Sequence, residues 1–77
     1  MLYVAATVKD HMATVLSAHD SFRAAQKAQW KRFHDDGAQV DVLPVNMARP
    51  GSKRPNPGDV LATMTEASGL VAIAAVD

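Results

Sequence analysis

Residues 10–36 read DHMATVLSAHDSFRAAQKAQWKRFHDD, and Gly37 follows. The stretch holds neither Pro nor Gly, Ala recurs, and Met12, Val15, Leu16, Phe22, Trp30 and Phe33 return at helical spacing. A glycine just past the last periodic residue is a common helix stop. The pattern predicts one long amphipathic helix over about 10–36. At 1.5 Å per residue that helix would run roughly 40 Å, whereas a compact chain of this length has a radius of gyration of about 11–12 Å. Either the helix breaks near Ser17 to Ser21, where Ser17-Ala18-His19-Asp20 has capping-box spacing, or a partner covers its overhang. Trp30 and Phe33 fall in the distal half, which favours partner cover, and a homodimer is the expected form.

On the N-terminal side, Leu2 to Val8 is a short apolar run ended by Lys9-Asp10, which reads as a buried strand. On the other side, Ala38 to Val45 alternates Gln39 and Asp41 with Val40 and Val42, the pattern of a strand with one wet face. Pro44 places that strand at a sheet edge or takes it out of the ladder. Asn46 to Gly58 gathers three prolines, two glycines and three cations into a basic loop that is either mobile or functional. Asp59 to Asp77 reads as a hairpin, Val60 to Thr65 and Leu70 to Val76, with Gly69 supplying a positive φ at the turn. Its alternative is a short helix capped by Asp59 and ended at Gly69, then one strand. The expectation is therefore an α+β fold over 1–77, one helix on a small, mainly antiparallel sheet in the order β-α-β-β-β, with β-α-β-α-β as the alternative.

A chain of 77 residues supports one hydrophobic core, and without cysteine it has no disulfide to reinforce it. A cysteine-free chain fits a reducing compartment, so the cytoplasm is the expected location. The first eight residues lack the basic start and long apolar run of a signal peptide, and no stretch has the length of a membrane-crossing helix. Membrane partners are not expected. Charge is balanced at eight basic and eight acidic residues, but residues 22–54 hold seven cations and three carboxylates, a local net charge of +4.

Chemistry-bearing motifs are scarce. His11 and His19 stand eight apart, not the three or four that bring two imidazoles to one metal from a helix, so no metal is expected. On a helical wheel His19 sits among the apolar residues between Leu16 and Phe22, as a buried or interface histidine or a pH-sensitive contact. None of the serines lies in a nucleophile elbow, and the loop lacks the Gly-Lys-Ser/Thr order of a phosphate cradle, so neither a catalytic residue nor a cofactor is expected.

What remains is surface. Phe22, Arg23, Gln26, Lys27, Trp30, Lys31 and Phe33 on the helix, with Arg49, Lys53 and Arg54 in the loop, have the Trp- and Arg-rich character of interfaces. The expected function is a protein-binding or regulatory module, of the inhibitor or accessory kind, whose partner protein is unspecified. Nucleic-acid binding through the +4 segment is the alternative. A small-ligand or catalytic role for His19 or His34 at a dimer cleft comes third.

Overall fold

The computed structural model describes residues 1–76; Asp77 lies outside them. Five strands and one helix follow the order β1 (Tyr3–Lys9), β2 (Met12–His19), α1 (Phe22–Asp36), β3 (Asp41–Asn46), β4 (Val60–Glu66) and β5 (Gly69–Ile73). The strands close into a barrel in the order β1-β2-β4-β5-β3. Every pairing is antiparallel except the short closing one, where Val45 and Asn46 of β3 run parallel to Ala72 and Ile73 of β5. The α+β class and the mainly antiparallel sheet hold, while the expected order does not, because the first half of the expected helix is strand β2.

Two local features account for that correction. Lys9 pairs with Met12, so the β1–β2 hairpin turns in two residues, Asp10 and His11, both at positive φ (53° and 65°). A two-residue turn of this kind usually advertises itself with Asn-Gly or Asp-Gly. Here Asp and His, which tolerate left-handed backbone better than most side chains, fill both places without a glycine. The second feature is a bulge: Ala5 pairs with Ser17 and Ala6 with Val15, leaving Leu16 as an extra residue. Ala13 and Val15 therefore face the core and Ala18 packs against it, an inward spacing of two and then three that blurs the strand period.

The helix begins where Ser21, in extended backbone, accepts a hydrogen bond at Oγ from the Ala24 N–H (3.1 Å). It ends as expected at Gly37, whose φ of 72° is left-handed and whose N–H donates to the Phe33 carbonyl (2.8 Å). Its 15 residues span roughly 22 Å at 1.5 Å per residue, within a body of 37 × 24 × 24 Å and 11.6 Å radius of gyration. No helix overhangs the domain, so the length argument for a dimer falls away.

The C-terminal segment is the hairpin reading, not the helical one: Glu66 pairs with Gly69 across Ala67-Ser68, and Gly69 takes φ 123°. β3 is not an edge strand, since it pairs with β1 on one side and β5 on the other. Pro44 fits because the Val45 N–H donates to the Leu2 carbonyl, so the missing donor at Pro44 points away from β1, where the β5 ladder starts only at Val45. The 46–58 loop is stitched to the barrel: the Lys53 N–H donates to the Ala75 carbonyl (2.8 Å), the Gly58 N–H to that of Val15 (2.8 Å), and Ser52 bridges Val76.

Inside the barrel are Leu2, Val4, Ala6, Ala13, Val15, Leu43, Val45, Leu61, Ala72 and Ala74. A five-stranded barrel leaves little interior width, and its inward positions carry small aliphatic side chains. Among the described residues, no aromatic and no polar side chain is buried.

Candidate interaction surface

The helix lies on the outside of β1, β2 and β3. It rests on alanines: Ala25 is buried, Ala24 and Ala28 are half-buried, and Ala28 shares a crevice with Ala5, Leu16 and Ser17 of the barrel wall. Ala5 is buried although it is outside the core cluster, because small residues on both sides let the helix sit close. Gln29 fixes the far half by donating from Nε2 to the Val40 carbonyl (2.6 Å).

With this alanine face turned to the barrel, a rotation of about 100° per residue turns the larger side chains outward. Two rows run side by side at four-residue spacing, Phe22-Gln26-Trp30 and Arg23-Lys27-Lys31, with Phe33 beside the first. Phe22, Trp30 and Phe33 are 50%, 56% and 54% exposed. All seven helix positions singled out in the sequence thus share the outward half of α1, although the element that carries them is half the expected length.

The rings are not isolated. Tyr3 of β1 meets Phe22 edge-on at 5.7 Å between centroids, and Phe33 meets His34 in the same way at 6.0 Å. Trp30 and Phe33 wall a groove of about 400 Å³ whose other side is the Ala38-to-Asp41 connection into β3. Tyr3, Gln39 and Asp41 were missed as site residues by the sequence reading. Tyr3 was accessible to it, since strand alternation with Val4 turns it outward.

The loop cations are engaged in holding the fold. Arg49 donates from Nη2 to the Ala74 carbonyl (2.8 Å), and Arg54 pairs through Nη1 with Asp20 Oδ1 (3.0 Å) just ahead of the helix. Lys53 is bound through its backbone to Ala75. On the helix, Lys31 meets Asp35 (3.5 Å) and Arg32 meets Asp36 (2.7 Å). Asp36 is held below its usual carboxylate range chiefly by the Ala38 N–H, which donates to it at 3.0 Å; desolvation opposes this, and the Arg32 guanidinium lowers it further. His19 is on β2, not on the helix, where it is half-buried and its Nε2 lies 2.8 Å from Ser17 Oγ.

Among the described residues, no three His, Asp or Glu side chains gather as a metal site would require, and no helix is long and apolar enough to cross a membrane. A larger hollow of about 530 Å³, lined by Met1, Tyr3, Pro44, Met47 and Val71, also holds Glu66 and Ser68, which no hydrogen bond joins. No known protein family, curated protein or solved structure matches the chain.

Proposed function

We propose that the protein is a binding module that engages a protein partner through the outward face of α1. The observation that carries this reading is the placement of the large rings: none is in the core, and Phe22, Trp30 and Phe33 are each about half exposed on one short helix. Aromatic side chains are the largest apolar resource a chain has, and a fold that uses them for its own stability buries them. Exposed aromatic side chains on one helix face, flanked by cations, match the composition of protein interfaces. A second copy of the chain or a different protein can fill this role, in the cysteine-free cytoplasmic setting that the composition favours.

Nucleic-acid binding is the weaker reading. It draws on the +4 of residues 22–54 as one field, yet Arg54, Lys31 and Arg32 each face a carboxylate and Arg49 is turned to the C-terminal segment.

Panning a peptide-display library against the immobilised protein tests the proposal, with Trp30→Ala and Phe33→Ala chains as counter-targets. The expected result is a set of peptides that bind the parent and lose at least about tenfold in affinity, roughly 1.4 kcal/mol, on either variant. Both variants should keep the helical dichroism of the parent. Peptides that bind all three chains equally, or variants that unfold, would return the rings to a structural role and end the reading.

A further inference from the structure

The cations beside the aromatic row break two rules of helix construction. Arg23 stands in the first turn, where the helix dipole favours carboxylates, and that turn contains no acidic residue. Arg23, Lys27 and Lys31 also follow one another at i, i+4, so each step sets like charges on adjacent turns, a spacing that destabilises a helix. The last turns show the opposite practice, with Lys31 and Arg32 each given a carboxylate four residues on. Among the described residues Arg23 and Lys27 have no such partner. Local conflicts of this kind, uncompensated inside the chain, mark positions kept for something outside it.

We infer that the partner is an acidic protein segment, one that seats apolar side chains against Phe22, Trp30 and Phe33 and sets carboxylates against Arg23 and Lys27. This rests on the protein-binding reading and names its chemistry. Charge complementarity selects the occupant. A second copy related by a two-fold axis would place this row of cations against itself. A nucleic-acid strand following the row would run on to Asp35 and Asp36, which repel its phosphates. A short acidic segment ends before those carboxylates and uses every ring.

The experiment compares the natural chain with an Arg23→Gln/Lys27→Gln variant. Both are panned with the same peptide library, and the recovered peptides are titrated against emission from Trp30, the single tryptophan. The parent is expected to select peptides rich in Asp and Glu among apolar residues, with affinity that falls as salt rises and drops roughly tenfold on the double variant. The variant itself is expected to melt no lower than the parent, because it relieves a like-charge row.

Peptides without acidic bias, bound equally by both chains, would overturn this inference and leave the protein-binding reading standing. No peptide binding that depends on Trp30 or Phe33 would overturn both. Salt-sensitive binding of a fifteen-nucleotide oligothymidine in preference to the acidic peptides would overturn it in favour of nucleic acid, and a dimer by light scattering that Phe33→Ala dissociates would do so in favour of a second copy. A double variant that melts earlier would show that the cations serve the fold, with the same consequence.

Discussion

The barrel and the helix divide the apolar residues by size. Inside the barrel are valine, leucine and alanine, and nothing larger. On the helix the inward side is alanine and the outward side carries two phenylalanines and the tryptophan. A narrow closed interior accepts only small chains, and a helix that must lie flat on its wall does the same at the seam. Large rings are left for the face with no steric limit, which is solvent. Cohesion therefore belongs to the barrel, and the helix face is free to be specialised without loss of the fold.

The largest expected effect breaks that division if it is wrong. Leu61→Ala or Leu43→Ala, both nearly fully buried in the barrel, should cost about 2–4 kcal/mol. At roughly 0.05–0.15 kcal/mol of stability per residue, a chain of 77 residues has about 4–12 kcal/mol to lose, so either substitution removes a large share of it. Trp30→Ala and Phe33→Ala should cost less, about 1–2 kcal/mol, since more than half of each side chain is already in solvent. Urea unfolding followed by far-ultraviolet dichroism measures all four. Ring deletions as costly as leucine deletions would make the helix face part of the core.

The part of the fold that was legible in the sequence is the part with ordinary punctuation. Ser21 and Gly37 bracket the helix with standard caps, and Gly69 marks the final hairpin. What hid β2 was chemistry of equal function but unfamiliar spelling: a turn built from Asp10-His11, and a bulge at Leu16 that shifts the inward positions and imitates a helical period. The seven helix positions named from the sequence still fall on one element, because they all lie after the true helix start. The over-long helix that motivated a dimer did not survive. Closure of the barrel was out of reach, for it depends on a two-residue parallel contact between segments far apart in the chain.

A middle-sized effect sharpens the contrast between the two halves of the 10–36 stretch, because the sign of one substitution depends on which structure is present. In the first turn of a helix, His11→Gly would destabilise by up to about 0.5 kcal/mol. At φ 65° in a two-residue hairpin, glycine relieves left-handed strain and should instead stabilise by up to about 1 kcal/mol. The backbone bonds at this point do not depend on the imidazole, since it is the His11 carbonyl that accepts from the Thr63 N–H (3.0 Å) and hydroxyl (2.8 Å). A lowered urea midpoint for His11→Gly would contradict the hairpin.

The smallest effect separates barrel from helix by pH. Among the described residues the barrel buries no polar or charged side chain that acid could titrate. The helix end is different: Asp36 accepts from the Ala38 N–H and from Arg32 Nε, and these bonds hold its carboxyl below the usual range. A carboxylate with a lowered folded pKa contributes stability that is complete above the unfolded value and disappears as the pH falls through the folded one. Acid should therefore loosen the Asp36-to-Ala38 cap while the strands keep their protection. The chemical shift and exchange rate of the Ala38 amide, followed from neutral pH downward beside those of Val4 and Val15, read this directly. In Asp36→Asn the Ala38 titration should vanish, with the strand amides unchanged. Strand amides that lose protection over the same pH range as Ala38 would mean that helix and barrel respond as one unit, and the separation of roles drawn between them would fail.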